Sequence, residues 1–293
     1  MQNKEGFGAK GYCAERSSLV KQIRTITIED ATADLIALRH KWMTGDIKPM
    51  SNAGLRFIDY MTFSERLAVR GKMGLNFFDF FANWESWKER KYINNLVQFY
   101  KGDESPRTIY KVYNLAINCI HAFRPVVALR IYEQFRPTHV LDPCAGWGGR
   151  AVAASVFGTA YTGYDSNVNL KTAYQKMSGI LNVNLIIGDS LVVDFDKTKK
   201  YDMICTSPPY YDLERYECVP HYKSDDEWDA EFYFPLFERA VAALQLGGWI
   251  VLSINEKLYT RVFSIMFGEP HVKIPLSMHK RTAYSEWIYA WQK

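Results

Sequence analysis

The run "TSPPYYD", residues 206–212, carries the residue types best suited to chemistry. Two prolines fix φ and remove two N–H donors, so the backbone offers carbonyl acceptors in a stiff frame. Ser207 adds a hydroxyl and Tyr210 a flat apolar face. Rigid acceptors beside an aromatic plane suit a planar ring that carries an –NH2 group. Such an amine, on cytosine or adenine, is a poor nucleophile because its lone pair is delocalised into the ring. If the Ser207 hydroxyl and a proline-region carbonyl draw on both N–H bonds, the nitrogen is biased towards tetrahedral. Its lone pair then points at a nearby electrophile, and catalysis is positioning plus oriented dipoles. Ser207, Pro208, Pro209 and Tyr210 are the catalytic candidates. A chain that only had to turn would use Gly, Asn or Asp, and a proline turn over buried tyrosines is the plain structural alternative.

A second motif weighs against that alternative. "DPCAGWGGRA", residues 142–151, contains Gly146, Gly148 and Ala151 in the pattern G-x-G-x-x-[G/A], and Asp165 follows about 20 positions on. Glycines let the backbone approach a ligand, and the helix that follows offers free N–H groups. The literal match is to a dinucleotide site. Here, however, Asp142 and Pro143 end the strand before the first glycine. A carboxylate there would repel a pyrophosphate and suit the ammonium or sulfonium of S-adenosylmethionine. Three successive strands end in Asp142, Asp165 and Asp189. Ligands of open α/β sheets lie beyond the carboxyl ends of the strands, so three carboxylates there fit a cationic adenosyl cofactor. Asp189 is the candidate acceptor for the adenine amine.

The elements that must position these motifs are alternating strands and helices from Pro137 onward. "THVLD", "AYTGYD", "NLIIGD", "YDMICTS" and "WIVLSIN" read as strands, with helices between them. The fold class expected is α/β, a Rossmann-like, mostly parallel sheet. "HVKIPLSMHKRTAYSEWIYAW" reads as an antiparallel hairpin closing one edge, and the double glycine after "ERAVAALQL" as a helix stop. Residues 1–122 read as a helical region for target recognition or dimerisation, loose before about Thr25, and 123–293 as the α/β domain. "EDATADLIALRHKWM", "SWKERKYINNLVQFYKG" and "SPRTIYKVYNLAINCIHAF" are the expected N-terminal helices, the last capped by Ser105 with Pro106 following. "RTITI" is the one strand candidate there.

"DPCAGWGG" followed by "TSPPYYD" resembles the S-adenosylmethionine-dependent DNA amino-methyltransferases, which act on cytosine N4 or adenine N6. The resemblance covers residues 123–293. It places the family's cofactor motif on Asp142, Pro143, Cys144, Ala145, Gly146, Trp147 and Gly148, with Cys144 where Phe is usual and Trp147 as a substitute stacking surface. It places the catalytic motif on Ser207, Pro208, Pro209 and Tyr210. "FRPVVALRIYEQF" is similar to the family's cofactor-side helix, which brings in Arg124 and Pro125. Serine at the first catalytic position implies cytosine N4 ahead of adenine N6. Methylation at cytosine C5 would need a cysteine after the prolines, so Cys144 reads as packing.

A net charge of +4 permits a nucleic-acid partner without requiring one. DNA is the expected partner, RNA is not separated from it by the motif, and a homodimer is left open. A non-catalytic binding subunit is disfavoured by the intact "TSPPY". A duplex base must be flipped or presented single-stranded, and the phosphate-contact candidates are His279, Lys280, Arg281, Lys88, Arg90 and Lys91. The aromatic run 76–100 reads as core, with a base-stacking surface as its alternative. "YDLERYECVPHYKSDDEWDAE" reads as a mobile cover over the site. Five scattered cysteines without a CxxC pair point away from disulfides and zinc. With no apolar run near ~20 residues and no signal-peptide core, the expectation is a cytoplasmic protein, nuclear if eukaryotic or viral.

Overall fold

A computed structural model describes residues 9–48, 51–71, 73–117, 120–211, 214–215, 222–278 and 285–293. Seven helices come first: α1 (Ala9–Ile23), α2 (Ile28–Met43), α3 (Leu55–Ala68), α4 (Phe77–Ala82), α5 (Trp84–Lys88), α6 (Lys91–Phe99) and α7 (Pro106–Ala116). A two-residue strand, β1 (Arg70–Gly71), follows α3. Then come α8 (Pro125–Phe135), β2 (His139–Asp142), α9 (Gly149–Phe157), β3 (Ala160–Asp165), α10 (Lys171–Leu181), β4 (Asn184–Ile187), β5 (Tyr201–Thr206) and a second short strand, β6 (Glu214–Arg215). Helix α11 (Asp225–Trp228) runs through a π-helical turn into α12 (Phe234–Ala243) and β7 (Leu244–Asn255). Helices α13 (Glu256–Leu258) and α14 (Ser264–Phe267) flank a second π-helical turn before the hairpin β8 (Val272–Met278) and β9 (Ser285–Gln292).

The seven-stranded sheet has the order β4-β3-β2-β5-β7-β9-β8. Strands β4, β3, β2, β5 and β7 are parallel, and β9 pairs antiparallel with both β7 and β8. This is a Rossmann-like α/β sheet with an antiparallel edge hairpin. The chain leaves β2 towards β3 on one side and returns to β5 on the other. That reversal opens a crevice at the carboxyl ends of β2 and β5, between the glycine turn and the proline corner.

Several elements differ from the sequence expectation, each for a local reason. Residues 9–23 form α1, because Ile23 is buried and Leu19 and Val20 pack into an aromatic cluster with α3, α4 and α7. "RTITI" is no strand: Thr27 accepts from the Asp30 amide and Asp30 accepts from the Thr27 amide, a capping box that opens α2. The helix expected over residues 86–102 breaks at Arg90, which is extended and sits 3.9 Å over the Trp87 ring. The double glycine lies inside β7, where a Cβ on Gly248 would press Leu244 and the Asp202 carbonyl. The aromatic run is largely core: Phe77, Phe78, Phe80 and Trp84 are buried against Tyr113 and one another.

Apolar contacts cross position 122. Ala31, Leu35 and Leu38 of α2 and Phe57 and Ile58 of α3 share one core with α8, α9 and the sheet. Gly54 makes the join close, since a Cβ there would meet Leu38 and the Pro125 ring at 2.8 and 2.9 Å.

Candidate active site

One cavity of about 950 Å³ opens at the carboxyl ends of β2 and β5. Ser207, Pro208, Pro209 and Tyr210 line it from the end of β5. Cys144, Ala145, Gly146 and Trp147 line it from the turn after β2, with Asp165, Asp189 and Arg124. The two motifs, some 60 positions apart in the chain, therefore share one chamber. Asp142, Gly148 and Pro125 are not among its lining residues.

Asp142 has a different part from the one its charge suggests. It is fully buried behind the turn. Its carboxylate accepts from Arg150 Nε at 2.6 Å, from the Tyr161 hydroxyl at 2.6 Å and from the Cys144 amide at 3.2 Å. Arg150 also donates to the Cys144 carbonyl at 2.6 Å. The negative charge expected to face a sulfonium is neutralised by Arg150, which the first turn of α9 carries back beneath the loop. Gly148 has φ +82° and leaves room for the Met177 side chain, and Pro125 starts α8 against Gly54.

The turn itself is set by its glycines and by Asp165. Gly146 has φ +57°, a region open mainly to glycine. A Cβ on it would meet only the Cys144 carbonyl, at 3.9 Å, so the space above its backbone is open. Its amide donates to Asp165 at 2.8 Å, and the Asn167 amide donates to the same carboxylate at 2.9 Å. Burial pushes the Asp165 carboxyl up from the ordinary aspartate range, against the pull of these two donors. Asp189 accepts from the Leu191 amide at 2.9 Å and stays exposed. The third glycine, Gly149, was not singled out from the sequence. A Cβ there would collide with the Phe123 carbonyl, so α9 can lie against the segment that carries Arg124 only if residue 149 is glycine. "GWGG" contained that signal.

The proline corner is braced from behind. The Tyr233 hydroxyl, from the π-helical turn before α12, donates to the Pro209 carbonyl at 2.6 Å and accepts from the Tyr211 amide at 3.1 Å. Burial raises the Tyr233 pKa well above that of a free phenol, so the bridging proton stays in place. Tyr211 has φ +50°, a strained value for a non-glycine residue. Its hydroxyl donates to Asp229 at 2.7 Å, and Arg261 pairs with Asp229. The described parts of the presumed cover are thus packed structure: Trp228 and Asp229 are buried, and β6 pairs with β1.

Hydrogen bonding also sets the polarity of the corner. The Tyr210 hydroxyl donates to the Ser253 carbonyl of β7 at 2.8 Å. The Ser207 hydroxyl lies 3.3 Å from Tyr210 Oη. With the tyrosine proton directed at Ser253, Ser207 donates to Tyr210 and keeps its lone pairs as acceptors. Tyr233 holds the Pro209 carbonyl, whereas among the described residues no hydrogen bond reaches the Pro208 carbonyl.

The expected phosphate contacts fall elsewhere. Lys88 pairs with Glu85 and Glu104, Arg90 stacks on Trp87, and neither they nor Lys91 line the cavity. His279, Lys280 and Arg281 lie outside the described residues. The far wall of the cavity instead belongs to the N-terminal helices, through Arg24, Asp59, Arg66 and Tyr110. Among the described residues there is no metal-ligating cluster, and no helix is long and apolar enough to cross a membrane.

No family model matches the chain, and no curated protein matches it. Solved structures similar to it include TrmN from Thermus thermophilus, with 17% identity and a TM-score of 0.40 over 58% of this chain and 48% of that one. A tRNA (uracil-54, C5)-methyltransferase from Pyrococcus abyssi, in complex with S-adenosyl-L-homocysteine, matches with 16% identity and a TM-score of 0.37 over 57% of this chain and 37% of that one. A TehB-like SAM-dependent methyltransferase from Corynebacterium glutamicum matches with 15% identity and a TM-score of 0.42 over 69% and 98%. The chain spans about half the length of TrmN.

Proposed function

We propose that this chain transfers a methyl group from S-adenosylmethionine to the exocyclic amine of a base in DNA, cytosine N4. One observation carries the proposal: the Ser207–Tyr210 corner and the Gly146 turn line the same cavity. The turn suits the cofactor, with open space above the Gly146 backbone and the carboxylates of Asp165 and Asp189 beside it. Bound there, S-adenosylmethionine supplies an electrophilic methyl group on a sulfonium. The protein's part is to place the amine so that its nitrogen takes the methyl as the methyl–sulfur bond breaks, S-adenosylhomocysteine leaves, and one N–H proton is given up to water. Ser207 Oγ and the Pro208 carbonyl accept its two N–H bonds, Tyr210 stacks on the ring, and the brace from Tyr233 and Ser253 keeps these groups fixed. The base reaches the cavity flipped from a duplex or from a single strand. Serine at position 207, by its resemblance to the N4-cytosine enzymes, supports cytosine as the base.

The test is S-adenosylmethionine labelled in the methyl group, incubated with single-stranded DNA, duplex DNA, RNA and no nucleic acid, followed by nucleoside analysis. N4-methylcytosine in DNA is expected. N6-methyladenine would change the base, label in RNA alone would change the polymer, and no label in any nucleic acid would end the proposal.

The alternative chemistry, covalent attack by a cysteine on a pyrimidine ring, is opposed by the two cysteines whose side chains are described, Cys144 and Cys205. Burial, then Asp142 and Asp165, holds the Cys144 pKa well above its ordinary value, and burial pushes Cys205 up to about 12. The thiolate is the nucleophile, and neither group supplies it near neutral pH. Cys144→Ala is accordingly expected to keep turnover within about fivefold of wild type. A loss of several orders of magnitude, or a covalent enzyme–DNA adduct that Cys144→Ala abolishes, would contradict this.

A further inference from the structure

We infer that Arg24 and Arg66, on the N-terminal wall of the cavity, form a phosphate-binding subsite for the strand that carries the target base; the inference rests on the methyl-transfer proposal above. Arg66 belongs to the last turn of α3, and Arg24 precedes α2. Both line the chamber that holds Ser207–Tyr210.

Both arginines pair with the same carboxylate, Asp59, which is 8% exposed. One negative charge thus faces two positive ones, leaving a local surplus of one cation. The Arg66 side chain is only 10% exposed, and among the described residues its Nε makes no hydrogen bond. A buried charge with an unmade donor is costly. Within the described fold nothing supplies that acceptor, and the Arg66 residue also lines the cavity. Arg24, 41% exposed, stands on the open side of the pair. The two guanidinium groups lie 4.8 and 5.6 Å from the Phe63 ring centroid, which restricts where they can turn. A phosphodiester matches this arrangement, since it brings one negative charge and two unbridged oxygens to a planar fork of donors.

Topology places this wall beside the chemistry. Helix α3 runs on to β1, and β1 pairs with β6, whose first residue, Glu214, is four positions after Tyr210. The chain leaving the catalytic corner is therefore tied to the chain leaving the arginine wall. The competing anion is the carboxylate of the cofactor itself. For that end of the cavity Arg124 is better placed, because it lies on the segment whose backbone packs on Gly149.

The test measures the affinity of a single-stranded oligonucleotide against salt for wild type, Arg24→Gln and Arg66→Gln, and the affinity of S-adenosylhomocysteine by calorimetry on the same preparations. Each substitution is expected to flatten the slope of log K against log salt by about 0.7 and to weaken binding roughly tenfold near 0.1 M salt. S-adenosylhomocysteine affinity is expected to stay within about twofold, which also reports an intact fold. Arg66→Lys, which keeps the charge but not the fork, is expected to keep the slope and lose part of the affinity. Unchanged slopes in both glutamine variants would overturn the subsite, as would a loss confined to S-adenosylhomocysteine. A wild type that binds and methylates DNA while the variants keep its slope overturns this inference alone. A wild type that binds no nucleic acid overturns the methyl-transfer proposal with it.

Discussion

Tyr210→Ala is expected to slow methyl transfer about a thousandfold, through lost stacking worth ~1–3 kcal/mol per base and loosened placement worth about a further hundredfold. S-adenosylhomocysteine affinity is expected to change by less than about twofold, because the glycine turn proposed to meet the cofactor is built by other contacts. The ring is one half of the residue's contribution. Its hydroxyl ties the corner to β7 through Ser253 and directs the Ser207 oxygen as an acceptor. Tyr210→Phe keeps the ring and removes the tie, so a loss of about tenfold is expected, in line with one or two hydrogen bonds. Single-turnover rates with labelled S-adenosylmethionine give both numbers. An alanine variant that reacts at the wild-type rate would remove Tyr210 from the chemistry.

Arg150→Met is expected to destabilise the fold by about 3–5 kcal/mol, because it leaves the fully buried Asp142 carboxylate without a counter-charge. In a chain of this size that lowers the melting temperature by roughly 10 °C. Combining it with Asp142→Asn is expected to restore most of the loss, since a neutral side chain in the same place no longer needs the cation. In that double variant the single side-chain oxygen left at position 142 can keep the Cys144 amide bond, while the new NH2 donates to the Tyr161 hydroxyl oxygen, which turns from donor to acceptor. Calorimetric melting of the single and double variants decides the point. A single variant that melts like wild type would show that the pair is dispensable. The cost falls on stability first, because Asp142 lies behind the turn and off the cavity lining, and Arg150, which reaches the lining, is held by Asp142 and the Cys144 carbonyl.

The sheet was legible because its strands are short apolar runs, two of which end in aspartate while Asp189 follows a third by two positions. Buried parallel strands need the first, and a ligand crevice at their carboxyl ends favours the second. The two motifs were legible because proline and glycine constrain the backbone by themselves. What each aspartate faces was not legible. Asp142 and Asp165 look alike in sequence, yet Arg150 and Tyr161 enclose the first, while the second accepts two amides at the cavity wall. Tyr233 supports the corner from 24 positions beyond Pro209, and no periodicity marks such a pairing. The Arg24–Asp59–Arg66 group was invisible for the same reason, since it joins two helical segments only after they pack. The aromatic run 76–100 was legible as core, because aromatic residues at this density bury one another, and packing makes it mostly core.

The apolar seam across position 122 bears on how this protein can be dissected. A fragment beginning at Phe123 would strip α2 and α3 from the outer side of α8 and α9 and leave Val126, Leu129 and their neighbours facing water. It would also leave the segment after Tyr210 without the strand it pairs with. Removing residues 1–122 would therefore yield a sticky, incomplete fold, and a lack of activity in it would say nothing about where target preference resides. Point substitutions on the cavity wall, which leave the seam closed, can separate recognition from folding.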